Sequence, residues 1–232
     1  MCYSDTMKGI IAGTGVDKIQ KIRTNLSSIE TKYGVVEYYL YKGVVIIPRH
    51  SKDHSLPPHR INYLANIEAL DKLGVDSVVG IYCVGSITDK VGMGEYGILS
   101  DYMDFSGRNI TFFNDEVKHT SVSHPFDKSL SLKLKKALPV AKEDVVYVTT
   151  NGPRFETGAE IKAYKILGGD VVGMTGGSEM TLLLEKGIKM AAFCYSINWC
   201  TGVKEEFGFS EEGDMKTMSQ KTLFAALEAQ IG

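Results

Sequence analysis

The sequence predicts an α/β fold with a central mixed, twisted and largely parallel β-sheet flanked by helices. Two observations carry this prediction. Short runs of β-branched and apolar residues alternate along the chain with segments whose apolar residues recur at helical spacing. No internal repeat and no Pro-rich or low-complexity linker interrupts the 232 residues. We therefore expect one domain over residues 1–232.

The elements follow from these two periodicities. Strands are expected over residues 8–12, 35–41, 44–48, 77–84, 96–103, 144–150, 170–174 and 189–198. Helices are expected over residues 61–73, 130–138, 161–167, 182–184 and 218–231. The alternation of the two kinds of element favours helices that cover the faces of one sheet.

The composition excludes several classes of protein. With 44% hydrophobic and 23% charged residues, the chain is neither disordered nor fibrous. A net charge of −2 offers no basic surface for nucleic acid. No apolar stretch approaches the ~20 residues that span a bilayer, and no signal peptide opens the sequence, so we expect no membrane contact and a cytoplasmic location. The four cysteines form no C-x-x-C pair and are expected to be reduced.

The first loop with suitable chemistry is Gly13-Thr14-Gly15, directly after a predicted strand. Its glycines let backbone N–H groups turn toward an anion, and the Thr14 hydroxyl adds a donor. Lys18 stands where a dinucleotide fingerprint needs glycine, and the loop lacks the Gly-Lys-Ser/Thr of a P-loop. An ordinary turn is an equally good interpretation of these residues alone.

The second loop follows the strand that ends at residue 48. Arg49 offers a fork of donors and His50 an imidazole, a pair suited to holding phosphate. A metal site of His50, His54 and His59 is an alternative, but the intervening prolines prevent one shared helical face. A solvated loop without function is the third interpretation.

Three further loops follow strands, where ligands of open α/β sheets bind. The loop at 151–157 holds Glu156, which either binds a ligand or complements a helix dipole together with Glu160. The loop at 173–177 holds Met174, for which core packing is the alternative. The loop at 196–199 holds Asn198, for which a turn or cap is the alternative.

Taken together, the loop motifs resemble a known family. The motifs are Gly-Thr-Gly at 13–15, Pro-Arg-His at 48–50, His54 with Pro58 and Asn-Tyr-x-Ala-Asn at 62–66, Gly-Pro-Arg-Phe at 152–155, and Gly-Met-Thr at 173–175. They stand in family order between residue 8 and about residue 202, and they resemble the trimeric purine nucleoside phosphorylases, with most similarity to the methylthioadenosine phosphorylase branch. The resemblance implies an α/β nucleoside phosphorylase fold and phosphorolysis, in which phosphate attacks C1′ of a purine nucleoside and releases the base.

The resemblance also implies roles for individual residues. Phosphate would be held by Thr14, Arg49, His50 and Thr175, with backbone groups of Cys83 and Val84. The base would be bound by Phe155, Glu156, Asn198, Val172 and Gly173, and the ribose by Met174 and by His119 of a neighbouring subunit. Asn198 and His50 are the expected catalytic residues. The shared site implies a homotrimer or a dimer of trimers.

The sequence departs from the methylthioadenosine branch at three positions. That branch has Asp where Asn198 and Cys200 stand, and a small hydroxyl residue at position 156. The pattern of Phe155-Glu156-Thr157 with Asn198 instead resembles the phosphorylases of inosine and guanosine, and methylthioinosine phosphorylases share an Asn of this kind. At the 5′ pocket an ungapped match gives Glu211 and Asp214 in place of apolar residues, which leaves the 5′ substituent open.

The expected reaction is therefore phosphorolysis of 6-oxopurine nucleosides. Glycosidic cleavage builds positive charge on the sugar and negative charge on the purine, so the enzyme needs an anion on one side and donors on the other. Phosphate is the nucleophile and a co-substrate, and we expect no metal and no cofactor. Methylthioadenosine phosphorylase, a nucleoside-binding protein without catalysis, and a metal hydrolase are the alternatives.

Overall fold

In the part of the chain that the structure describes, nine strands form the centre of the protein. The computed structural model describes residues 7–13, 25–204 and 210–232. The strands are β1 (Met7–Ala12), β2 (Leu26–Thr31), β3 (Gly34–Tyr41), β4 (Val44–Pro48), β5 (Val75–Ser86), β6 (Tyr96–Asp104), β7 (Lys142–Thr149), β8 (Val171–Gly173) and β9 (Lys189–Trp199). All eight predicted strands are present. The edge strand β2 was not predicted.

The strands belong to one mixed sheet in the order β2-β3-β4-β1-β5-β8-β7-β6-β9. Pairing is parallel for β1 with β4 and β5, for β5 with β9, and for β7 with β6 and β8. It is antiparallel at β2–β3, β3–β4, β5–β8 and β6–β9. Because β9 also pairs with β5, the strands β5, β8, β7, β6 and β9 close into a ring. The mixed sheet confirms the predicted fold class.

Apolar residues on both faces of the sheet make two main cores. Successive side chains on a strand point to opposite faces, so Ile10 and Ile46 lie in one core while Ile11 and Ile47 lie in the other. All four are fully buried. A strand covered on both faces reads as a continuous apolar run, which is why β4 has the sequence Val-Val-Ile-Ile-Pro.

Among the described residues, five helices cover these faces: α1 (Tyr63–Lys72), α2 (Lys128–Ala137), α3 (Gly158–Ile166), α4 (Gly176–Glu185) and α5 (Glu212–Ile231). Helices α1 and α4 contribute to the core on one face, and α2 and α5 to the core on the other. Short 3₁₀ turns at Pro58–Arg60 and Asp89–Val91 lie in connections. Each helix overlaps a predicted one. The prediction for α4 was too short because the helix starts with the small and polar residues Gly-Gly-Ser-Glu, which carry no apolar periodicity.

Side chains fix the starts of the helices that border the site. The Asn62 carboxamide accepts from the backbone N–H of Ala65 at the start of α1. At the start of α3, Thr157 and Glu160 form a reciprocal capping box. Glu160 therefore has the helix-capping role that was considered for both acidic residues of this loop, whereas Glu156 turns elsewhere.

Candidate active site

A cavity of about 450 Å³ opens at the ends of strands β4, β5, β8 and β9. This volume falls in the range of small-molecule sites. Eleven of the thirteen predicted site residues line it, namely Arg49, His50, Cys83, Val84, Phe155, Glu156, Val172, Gly173, Met174, Thr175 and Asn198. Thr14 lies outside the described residues, and His119 lies elsewhere on the surface. Four of the five loops selected from sequence thus line the cavity, and Gly13 of the first loop lies beside Arg49 and His50.

Arg49 is held in a buried ion pair at one end of the cavity. Its Nε and Nη2 donate to the two carboxylate oxygens of Glu179, at 2.5 and 2.8 Å, and its Nη1 donates to the Ile81 carbonyl at 3.0 Å. Both side chains are almost fully buried, with relative exposures of 2% and 0%. The guanidinium also lies over the Tyr82 ring at 4.6 Å, and the Tyr82 hydroxyl donates to Glu179. Burial alone would lower the pKa of Arg49, but Glu179 outweighs it and raises that pKa.

This pairing changes the interpretation of Arg49 as a phosphate ligand. The forked edge that was expected to bind phosphate is occupied by Glu179. Of the five N–H donors of a guanidinium, two lie outside the three contacts just given. The end of β1 approaches the same group, because a Cβ on Gly13 would lie 2.6 Å from Nη1 of Arg49. Arg49 therefore stays a predicted phosphate ligand, but through its remaining edge.

His50 and Thr175 complete this end of the cavity. Nδ1 of His50 lies 2.7 Å from the Leu56 carbonyl, which can only accept, so Nδ1 carries a proton and donates to it. The His50 ring lies against the His54 ring at 4.6 Å. Thr175 is the N-cap residue of α4 and is almost buried in the cavity wall, so the positive end of that helix dipole faces the cavity. These groups are suited to an anion.

Glu156 brings a carboxylate into the opposite end of the cavity. It is 8% exposed, and its Oε1 accepts from the Thr150 hydroxyl at 2.6 Å. Thr150 is itself fixed, because its backbone N–H donates to the Gly173 carbonyl. Phe155, next to Glu156, is about half exposed at the cavity mouth. The arrangement presents one acceptor carboxylate beside one aromatic ring.

Asn198 and Cys200 lie close to each other beside Glu156, at the end of β9. The Asn198 amide donates to the Trp199 carbonyl at 3.0 Å, and the residue is 5% exposed. Gly85 allows both side chains to approach, because a Cβ there would lie 2.8 Å from Sγ of Cys200 and 3.2 Å from Nδ2 of Asn198. Burial, reinforced by the Glu156 carboxylate, raises the pKa of Cys200 to about 12. Cys200 is therefore a neutral thiol in the cavity wall.

Two groups of predicted residues lie outside the cavity lining. His119 is exposed on the irregular segment between β6 and α2, which agrees with a role outside its own subunit but does not test that role. Glu211 and Asp214, matched to the 5′ pocket by sequence, are exposed near the start of α5 and are not among the lining residues. The ungapped sequence match that placed these two residues in the 5′ pocket therefore does not identify residues of this cavity.

Sequence reasoning missed Glu179, Tyr82 and Arg108. Glu179 lies in the first turn of α4, where an acidic residue is also explained by the helix dipole, so the sequence did not indicate its buried pairing with Arg49. Tyr82 lies within a buried strand and resembles an ordinary core residue. Arg108 stands in the irregular segment after β6, where nothing local indicates its contacts.

Two observations concern metal ions and membranes. Within residues 7–13, 25–204 and 210–232, no group of three or more His, Cys, Asp or Glu side chains is arranged to hold a metal ion. Over the same part of the chain, no helix is both long and apolar enough to cross a bilayer.

Comparison with known proteins agrees with this geometry. A family model described as the phosphorylase superfamily matches residues 8–231. A probable S-methyl-5′-thioinosine phosphorylase from Methanopyrus kandleri is 39% identical over 210 residues, which cover 86% of this chain and 81% of the relative. A 6-oxopurine nucleoside phosphorylase from Pyrococcus furiosus is 36% identical over 215 residues, covering 84% and 80%.

A solved structure is similar over the whole fold. Methylthioadenosine phosphorylase from Schistosoma mansoni in complex with tubercidin superposes with a TM-score of 0.86 at 25% identity, covering 98% of this chain and 92% of that chain. Fold, cavity and family model together define the class of protein. The chain belongs to the phosphorylase superfamily. This membership confirms the resemblance identified in the loop motifs and the prediction of an enzyme.

Proposed function

We propose that the protein catalyses phosphorolysis of 6-oxopurine nucleosides, such as inosine, guanosine or 5′-methylthioinosine. The products are the free purine and ribose 1-phosphate or 5-methylthioribose 1-phosphate. The observation that carries the proposal is the position of Glu156 and Asn198, a buried carboxylate and a buried amide in one cavity wall. The names of the relatives from Methanopyrus kandleri and Pyrococcus furiosus support the same substrate class.

The base edge explains why this pair selects a 6-oxopurine. Hypoxanthine and guanine present an N1–H donor and an O6 acceptor, whereas adenine presents an N1 acceptor and an N6 donor. An ionised Glu156 accepts from N1–H, and the Asn198 amide donates to O6 or N7. With adenine, the Glu156 carboxylate faces the N1 lone pair. A buried polar group left unpaired costs about 1 to 3 kcal/mol, so adenine nucleosides are disfavoured.

The reaction needs no nucleophile from the protein. An oxygen of phosphate forms a bond to C1′ as the bond from C1′ to N9 breaks, and the bonding electrons leave with the purine. Asn198 stabilises the charge that collects on the purine by donating a hydrogen bond. At the other end, Arg49, His50 and the N-terminus of α4 hold the phosphate, and Met174 packs under the ribose. Because one cavity binds and orients both reactants, the bimolecular reaction becomes effectively unimolecular.

The proposal is tested by measuring base release with and without phosphate. The substrates are inosine, guanosine, adenosine, methylthioinosine and methylthioadenosine, and Glu143→Gln is a control because Glu143 is an exposed carboxylate paired with Lys135. We expect phosphate-dependent release from the oxopurine nucleosides alone, unchanged in Glu143→Gln. Release without phosphate, or release abolished by a chelator, would overturn phosphorolysis. Equal cleavage of methylthioadenosine and methylthioinosine would favour the methylthioadenosine alternative.

We also propose that the active species is a homotrimer or a dimer of trimers. The reason is that His119, a predicted ribose ligand, is exposed on the segment between β6 and α2 and does not line the cavity of its own subunit. Light scattering of the active enzyme should give a mass of three or six times 25.5 kDa. A fully active monomer would contradict the assembly without affecting the proposed reaction. His119→Ala should lower activity while leaving that mass unchanged.

A further inference from the structure

Arg108 joins two loops of the cavity from outside the cavity. Its Nη1 donates to the Met174 carbonyl at 3.0 Å and to the Ser178 hydroxyl at 3.1 Å. Its Nη2 donates to the Asn151 carbonyl at 2.8 Å. The residue is partly buried and is not among those that line the cavity. One guanidinium thus fixes the backbone of two segments that are far apart in sequence.

These two segments carry the groups proposed to hold the nucleoside. Asn151 starts the loop that leads to Phe155 and Glu156, and Met174 itself faces the cavity. The segments also touch each other, because a Cβ on Gly152 would lie 2.5 Å from Sδ of Met174. A change in the distance between the two carbonyls would therefore shift the base contacts relative to the sugar contact.

A third cavity loop is joined to the same guanidinium through a tyrosine. The Arg108 guanidinium lies over the Tyr63 ring at 5.1 Å. The Tyr63 hydroxyl donates to the Pro58 carbonyl at 2.7 Å, and Pro58 lines the cavity. Burial raises the pKa of Tyr63, so this hydroxyl keeps its proton and remains a donor.

The main chain around Arg108 is itself held in place. The backbone N–H of Phe105 donates to the Thr149 carbonyl at 2.9 Å, and the N–H of Ser106 donates to the Asp104 carboxylate at 2.7 Å. The N–H of Arg108 then donates to the Ser106 hydroxyl at 3.3 Å. The guanidinium therefore extends from an anchored turn at the end of β6 and can act as a rigid spacer.

We propose that Arg108 is a positioning residue that sets the distance between the base-binding and sugar-binding loops. The proposal rests on the proposed function for its substrate. Arg108 donates three charge-assisted hydrogen bonds, two to the loop carbonyls of Asn151 and Met174 and one to the Ser178 hydroxyl of α4, and such bonds are stronger than neutral ones. Since it contacts carbonyls and not the ligand, its effect is on geometry, and displacements of about 1 Å at a reacting centre cost on the order of 100-fold in rate.

The test compares Arg108→Ala, Arg108→Lys and the wild-type protein by steady-state kinetics. We expect kcat/KM for the nucleoside to fall about 30- to 100-fold in Arg108→Ala and less in Arg108→Lys, which reaches one carbonyl only. The KM for the nucleoside should rise more than the KM for phosphate, because Arg49 and His50 lie outside the contacts of Arg108 and only Thr175, among the described phosphate ligands, adjoins them. Guanidinium chloride at concentrations well below denaturing should restore part of the activity of Arg108→Ala.

Hydrogen exchange provides a readout that does not depend on substrate. Amides of residues 151–157 and 174–178 should exchange faster in Arg108→Ala than in wild type, and Arg60→Ala, which removes an exposed arginine, should match wild type in both measurements. Unchanged exchange and a kcat/KM within twofold of wild type would overturn the role of Arg108. So would a loss of activity that follows thermal stability and is not rescued. A wild-type protein inactive on every nucleoside would instead refute the proposed function, and the exchange result would still decide the positioning role.

Discussion

The two ends of the cavity handle charge in opposite ways. At the phosphate end, Arg49 is already neutralised by Glu179, and both groups are almost fully buried. At the base end, the Glu156 carboxylate is bound by the neutral Thr150 hydroxyl through one of its two oxygens. The first end is a charge pair fixed in advance, whereas at the second end a neutral hydroxyl holds the carboxylate.

This difference indicates how each end contributes to catalysis. A fixed ion pair orients the remaining N–H groups of Arg49 before phosphate arrives, so little reorganisation is needed on binding. The cost is that Glu179 also repels the incoming anion, which His50 and the α4 N-terminus must offset. The base end needs no such balance, because its negative charge meets an N1–H donor. We therefore expect the phosphate end to determine stability and the base end to determine selectivity.

The largest expected effect comes from Arg49→Ala. Removing the guanidinium leaves the Glu179 carboxylate buried without its main partner, which typically costs 3 to 5 kcal/mol of unfolding free energy. The lost contact to phosphate, worth about 1.5 to 3 kcal/mol, should raise the phosphate KM at least tenfold. Urea unfolding and phosphate saturation curves measure the two effects.

Comparing Arg49→Ala with Arg154→Ala separates the effect of burial on an ion pair from the effect of charge alone. Arg154 also forms a forked pair, with Glu160, but that pair lies on the surface. Arg154→Ala should shift the urea midpoint far less than Arg49→Ala, because exposed pairs are screened by solvent. If both variants lost the same stability, burial would not be what makes the Arg49–Glu179 pair important. If phosphate saturation were unchanged in Arg49→Ala, Arg49 would not bind phosphate.

A smaller effect is expected at the base end from Asn198→Asp. A carboxylate accepts from the N6 amino group of adenine and, when protonated, donates to N7, whereas it repels O6 of an oxopurine. The ratio of kcat/KM for methylthioadenosine over methylthioinosine should rise by about tenfold, which corresponds to one altered hydrogen bond of about 1.4 kcal/mol. Assays with both nucleosides at saturating phosphate measure the ratio.

Asn198→Ala is the control that separates base recognition from a structural role of Asn198. Asn198 donates to the Trp199 carbonyl, so part of its role is to fix the end of β9. Asn198→Ala should therefore lower activity on both nucleosides, and it should raise the ratio for methylthioadenosine less than Asn198→Asp does, because alanine offers no acceptor to the N6 amino group. An unchanged ratio in Asn198→Asp would leave Asn198 as a cap of the strand end and remove it from base recognition.

The fold was predictable because its signals are local. The run in β4 and the periodic leucines of α2 give their elements directly from spacing. The strand β2 was missed because Leu-Ser-Ser-Ile-Glu-Thr is polar and mostly exposed, and because it pairs only with β3 at the edge of the sheet. The composition of such a strand resembles a loop.

The site was predictable only for residues that carry a local pattern. The motif loops identified Glu156, Met174 and Asn198, because glycine-rich strand ends mark where ligands bind. The partners that hold those loops are long-range: Glu179 meets Arg49 across 130 positions, and Arg108 meets Met174 across 66. No spacing rule connects such pairs, so the occupied fork of Arg49 became visible only in the structure.

The smallest expected effect concerns the thiol of Cys200, which determines whether the base end has one negative charge or two. Its pKa in the folded protein is raised to about 12 by burial and by Glu156, from an ordinary value near 9. A raised folded pKa stabilises the protein fully below about pH 9, and this contribution is lost as the pH rises from about 9 to 12. The unfolding free energy should therefore fall by about 1 kcal/mol less in Cys200→Ala than in wild type between pH 8 and pH 10.

Cys194→Ala is the matched control. The pKa of the Cys194 thiol is also raised to about 12, but Cys194 lies in the core and not in the cavity wall. Both variants should show the same change in pH dependence, and only Cys200→Ala should alter the nucleoside KM. Rapid alkylation of Cys200 by iodoacetamide in the native protein at pH 8 would show a thiolate there, and the base end would then carry a second negative charge.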